Sequence, residues 1–152
     1  MLRYRVIGNL PQGLLESFRS YAHINGGDDQ ELIMTLKTAL CNVQQYVDRA
    51  LLTCTIEYTK EIPGSVVKLY CSPISEVVSV KDPFGNDIPY TLSDDTIRLS
   101  KESSFVVRYI TAPLEADIEL YKIYAIQIAS AIWDGNDEEE LTILNQIPVS
   151  WC

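Results

Sequence analysis

Between Gly26 and Leu52 the chain reads GGDDQELIMTLKTALCNVQQYVDRALL, and Leu32, Leu36, Leu40, Val43, Val47 and Leu51 recur within it every three or four positions. That spacing gathers the apolar side chains into one stripe along one side of a helix. The start is well marked. Asn25, Gly26 and Gly27 accept the irregular backbone that ends a preceding element, and Asp28 is a favoured N-cap. Glu31, three residues on, completes an Asp version of the capping box. Asp28, Asp29 and Glu31 also set negative charge at the positive end of the helix dipole. At about 1.5 Å per residue the stretch predicts a helix on the order of 35 Å long. Such a helix crosses a small domain, so everything else is arranged about it.

A chain of 152 residues is expected to form one domain, residues 1–152, with a core that needs no staples. Twelve basic against 21 acidic residues leave a net charge of −9. A clamp on nucleic acid needs a basic surface to displace counterions, so the balance argues against that class. Cys41, Cys54, Cys71 and Cys152 form no C-x-x-C pair, and His23 is the lone histidine. No zinc site follows from that spacing. Met1 to Leu10 lacks the apolar centre of a secretion signal, which predicts a cytosolic chain with reduced thiols. The apolar run Ile123 to Trp133 is too short to span a bilayer, so no membrane partner is expected.

Along the chain, Leu2-Arg3-Tyr4-Arg5-Val6 alternates as a short strand or forms a loose arm. Pro11 opens a first helix whose stripe is Leu14, Leu15, Phe18, Tyr21 and Ala22. After the long helix the period changes from 3.6 to 2. Strands are predicted at Thr53–Tyr58, Val66–Cys71, Val77–Lys81, Tyr90–Leu92, Thr96–Leu99 and Phe105–Ile110, with turns at Lys60–Gly64 and Asp82–Asp87. They read as a small antiparallel meander inserted at about 53–110. Pro113 opens a second strong helix with Ile118, Tyr121, Ala125, Ile128, Ala129 and Ile132 inward. Asp137 caps a last short helix with Glu140 at the capping-box position, and an apolar tail occupies about 146–152. The predicted class is α+β, mainly helical, with two long packed helices and the small antiparallel β-unit inserted between them.

No G-x-S-x-G, Walker A, G-x-G-x-x-G or H-E-x-x-H string occurs, and Asp28-Asp29 and Asp94-Asp95 read as cap and turn. Asp134-Gly135-Asn136-Asp137 imitates the start of a calcium loop, but Glu139 stands where that loop needs Gly and Asn145 where it needs Glu. Neither an enzyme nor a cofactor or metal site is expected.

The order of elements, with several local strings, resembles the small phage head–tail connector (adaptor, head-completion) proteins that sit under the portal. The strings are Ser20-Tyr21-Ala22-His23-Ile24 before Asp28-Asp29, Gln45 to Leu51 at the end of the long helix, Val77 to Asp82, Phe105 to Tyr109, and the Ala-rich stripe from Ile118 to Trp133. Two positions depart from the family pattern. Asp48 stands before Arg49 where that family usually has Gly, and Tyr109-Ile110-Thr111-Ala112-Pro113 replaces a Tyr-Thr-Ala-Gly string.

The resemblance implies a non-enzymatic subunit of a twelve-fold ring, docked on the portal protein and meeting the next tail-side ring protein. Such a ring continues the DNA channel without binding DNA specifically, in a virion assembled in the host cytoplasm. A channel that DNA slides through is sensibly acidic, and Asp137, Glu138, Glu139 and Glu140 are candidates for its wall. The same run also reads as a solvated helix start. In the tail, Ile147, Val149 and Trp151 alternate while Pro148 blocks a helix, so the segment either docks on the portal or a neighbour or folds onto its own core. Phe84 and Asn86, at the tip of the Asp82–Asp87 turn, are further interface candidates. The alternative reading is a small acidic cytosolic adaptor or tail-completion protein acting elsewhere in a phage or prophage particle.

Overall fold

The structure is a computed structural model that describes residues 2–148. β1 (Leu2–Val6) and α1 (Leu14–Ala22) lead into α2 (Asp29–Val47). β2 (Cys54–Lys68), β3 (Ile74–Lys81), β4 (Tyr90–Ser93) and β5 (Thr96–Thr111) follow, then α3 (Glu115–Trp133) and α4 (Asp137–Gln146). Asp28 caps α2 as its sequence predicts, its carboxylate accepting from the Gln30 N–H at 2.9 Å. Leu32, Leu36, Leu40, Val43 and Val47 are buried along one side.

The helix stops at Val47 and not at Leu52. Asp48 turns into the left-handed region at φ 54°, a conformation that costs a residue with a Cβ. Its carboxylate offsets that cost by accepting from the Cys71 N–H at 2.7 Å. The fully buried Gln44 then receives the departing chain. Its Oε1 accepts from the Leu51 N–H at 3.0 Å and the Leu52 N–H at 3.2 Å. Leu51 and Leu52 are therefore core residues of a connecting segment, held by a side chain from the helix they were expected to extend.

The sheet is five-stranded and antiparallel in the order β1-β2-β5-β3, with β4 also on β5. It is not a meander. β1 joins from the N-terminus, pairing Arg3 with Glu57 and Arg5 with Thr55. The Lys60–Gly64 stretch is no turn but a break in the β2–β5 ladder, where extra residues fall on β2 between Lys60 and Gly64 and on β5 between Arg98 and Ser103. Pro63 cannot donate to a ladder, and strand prolines favour such irregularities.

These breaks let the hairpin curl. Extended, the 15 residues of β2 would span about 50 Å. Yet Tyr109, opposite Ile56 near the start of β2, bonds through its hydroxyl to the Tyr70 N–H (3.1 Å) and the Tyr70 C=O (3.0 Å), just past the end of that strand. The curled sheet encloses Ile56, Val67, Leu69, Ile97, Phe105 and Val107.

The expectation of a mainly helical chain built on two long helices is corrected by the balance of structure, 39% helical and 35% strand. Strand was undercounted because bulges split β2 and β5 into pieces that each look short. α2 meets the sheet through Gln44 and Cys54. α3 packs along α2, and α1 and α4 pack on α3. Arg49 fastens the end of α2 to the first turn of α3, its Nη2 lying 2.9 Å from the Asp117 carboxylate.

Two substitutions test the junction. Gln44→Ala strands two buried N–H groups and is expected to cost roughly 2–4 kcal/mol in urea denaturation. Asp48→Ala keeps the left-handed strain but loses the Cys71 bond, a loss of about 2 kcal/mol; Asp48→Asn retains most of the stability, and an equal loss in both variants would refute the role given to the side chain.

Candidate functional site

Alternation in β1 puts Tyr4 on the inner side of the sheet and Arg3 and Arg5 on the outer side, where both are exposed. In register beside them, Glu57 of β2 pairs with Arg108 of β5 at 2.8 Å. Arg3, Arg5, Thr55, Glu57 and Arg108 line one shallow groove of about 380 Å³. Its neighbour, of about 280 Å³, shares Glu57 and Arg108 and adds Lys81. Among the described residues Arg3 and Arg5 have no ion-pair partner. This basic strip was not singled out from the sequence, although the Arg-x-Arg spacing in an alternating strand was its signal.

The turn candidates occupy the loop between β3 and β4. Phe84 is 89% exposed at the tip of the loop after β3. Asp82 holds that tip in shape: its carboxylate accepts from the Phe84 N–H and the Asn86 N–H, each at 2.9 Å, and from the Asn86 side-chain amide at 3.3 Å. The backbone bond from Asn86 is the main reason that its pKa lies below the ordinary value. Asn86 thus shapes the tip and Phe84 projects from it.

The tail divides. Ile147 is buried in the chain's own core and Pro148 is exposed, while Val149 and Trp151 lie outside the described residues. The acidic run divides too. Asn136, not Asp137, caps α4, accepting from the Glu139 N–H at 3.1 Å. Asp137, Glu138 and Glu139 are exposed, whereas Glu140 is half-buried and takes a 2.6 Å bond from the Asn42 side chain of α2. The register of the cap shifts by one because Asn136 already stands in a non-helical conformation after Gly135.

α3 carries a second feature that the stripe reading passed over. Ala125, Ile128 and Ala129 are buried against α2, but Leu120 and Ile123 lie exposed on the other side. A helix apolar on both sides is ordinarily covered on both. The signal was there in the apolar residues between the stripe positions.

Elsewhere the polar chemistry serves the fold. His23 takes the left-handed C-cap position of α1, its N–H bonded to the Ser20 carbonyl. Cys41, Cys54 and Cys71 are free and buried. Interaction between the Cys41 and Cys54 thiols holds Cys54 below the ordinary thiol range and, together with burial, pushes Cys41 above it. Among the described residues no group of three His, Cys, Asp or Glu could hold a metal ion, and no helix is long and apolar enough to cross a membrane.

No protein-family model matches the chain, and no curated protein matches it in sequence. Solved structures do. A chain in the virion of the native gene transfer agent (GTA) particle matches with a TM-score of 0.60 at 12% identity, covering 98% of this chain and 96% of that one. A chain in the neck of the native GTA particle, computed with C12 symmetry, matches at 0.58 and 12% identity over 99% and 97% of the two chains. A chain in the neck of the empty GTA particle, computed with C6 symmetry, matches at 0.58 and 14% identity over 87% and 84%. The chain thus has a fold found in the neck of a phage-like particle, in keeping with its resemblance to the head–tail connectors.

Because Asp82 is held below its ordinary pKa, the ordering that its carboxylate gives the Phe84 tip is fully present above the ordinary carboxylate range. It is lost as pH falls through the lower folded-state value. Amide exchange at Phe84 and Asn86 is expected to accelerate in that acid window, and in Asp82→Leu at neutral pH. Exchange independent of both would refute this.

Proposed function

We infer that this chain is a structural, non-enzymatic subunit of a head–tail connector ring, docked under a portal and continuing the DNA channel towards the tail. The observation that carries the reading is the likeness of fold over nearly the whole length to chains of a particle and its neck. The C12 and C6 symmetries of those necks support a ring of twelve copies. The net charge of −9 agrees with a body that DNA passes without sticking, since it offers few cations to exchange for counterions. The exposed Phe84 tip, shaped by Asn86, and the segment from Pro148 through Val149 to Trp151 are the parts we assign to the portal and to the next tail-side ring. Assembly takes place in the host cytoplasm and the product resides in the virion.

Co-expression with the portal protein of the same genome segment, followed by gradient sedimentation and negative-stain imaging, tests this reading. Co-migration with an added ring of matching symmetry is expected. A chain that stays at the top of the gradient beside normally assembled portals would overturn it in favour of a general adaptor.

A further inference from the structure

The charge of this chain is segregated by layer. Eight of its 12 Lys and Arg residues lie in the strands, against four of its 21 carboxylates. The strands therefore carry a net +4 and the remainder of the chain −13. Within the strands the outer groove concentrates Arg3, Arg5 and Arg108 around a single carboxylate, Glu57. Exposed Ile7 adds apolar surface to it. From Glu115 to Glu140, by contrast, there are eight carboxylates and one lysine. That lysine, Lys122, is already paired with Glu119 at 2.8 Å. Apolar surface again lies among the charges, with Leu141 61% exposed one turn from Asp137.

We propose that the arginine groove on the outer face of the sheet docks the acidic start of α4, Asp137 and Glu138, of a second copy of this chain. This rests on the ring reading above and names the contact from which the ring is built. Copies with a net charge of −9 repel one another, so a stable contact needs opposite charges where they meet. A head-to-tail contact uses two different patches, and only such contacts close into a ring of many copies. The fold supplies two. α2 meets the inner side of the sheet, α3 packs along α2, and α4 packs on α3. The outer sheet face and the α4 start are thus separate surfaces of opposite charge. The acidic run then serves as a subunit contact and not as the wall of the channel.

The test uses the full chain and two charge-reversed variants, Arg3→Glu/Arg5→Glu and Asp137→Lys/Glu138→Lys. These four side chains are exposed and form no ion pair among the described residues, so both variants are expected to stay folded, with melts lowered slightly by the like charge placed opposite Glu57 and by the cations at the start of α4. In sedimentation velocity the unaltered chain should self-associate at about 0.1 M salt and dissociate at about 1 M, as the screening length falls from roughly 10 Å to about 3 Å. Each variant alone should associate at least about tenfold more weakly. Mixed one to one they should associate again, because each reversed patch then meets its opposite on the other variant.

Variants that associate like the unaltered chain, a mixture that does not recover, or an unaltered chain that stays monomeric at low salt would each overturn the contact. The two readings fail separately. Charge-dependent association without co-sedimentation with portals would reject the connector role alone. Arg3→Glu/Arg5→Glu subunits that still build a normal ring on portals would reject this contact alone.

Discussion

The side-chain amide of Gln44 is the point on which the rest of the structure depends. It projects from α2 where that helix must release the chain to the sheet, and it is fully buried. A buried amide is tolerable only when its hydrogen bonds are made. Its oxygen takes the N–H groups of Leu51 and Leu52, and its nitrogen reaches the Cys54 sulfur at 3.7 Å. A second buried polar side chain, Thr111, works on the same segment, accepting from the Cys54 N–H at 2.9 Å and donating to the Leu52 C=O at 2.8 Å. Together they bond the N–H groups of Leu51, Leu52 and Cys54 and the C=O of Leu52 as the chain passes through the core. The start of β2, the end of β5 and the end of α2 are thereby set relative to one another.

Around that junction the longer connections fall into place. Asp48 bends the chain left-handed and holds Cys71; Arg49 reaches Asp117 at the start of α3. Tyr109 closes the curl of the hairpin on Tyr70, and burial raises its hydroxyl pKa above the ordinary value. Each of these side chains joins parts of the chain at least 20 residues apart, and the Asp48–Cys71 bond ties the end of α2 to the segment after β2. The surface of the chain has distinct sides: a basic sheet face, an acidic helical side, and an exposed tip at Phe84.

Asp48 shows how a departure from a family pattern is to be read. At that position the resembling proteins usually carry Gly, the residue that enters the left-handed region at least cost. Here a left-handed turn is made by a residue whose side chain contributes a bond that Gly could not. The sequence string signalled a helix end with the wrong residue for it.

Local signals determined a good deal: the Asp28 cap, the buried stripe of α2, the Pro113 entry to α3, the turn at Asp82 to Asp87 and the acidic character of the body. These follow from residues within a turn or two of one another, where capping, periodicity and backbone preference act directly. The order of strands, the curl of β2 against β5, the recruitment of β1 and the early end of α2 were decided only by the tertiary structure. Each depends on a partner distant in sequence, such as Tyr109 for Tyr70 or Cys71 for Asp48, and no local period encodes which partner that is. The candidate surface follows the same division. Arg3 and Arg5 share a strand face by alternation alone, but Glu57 and Arg108 become their neighbours only when the sheet is assembled.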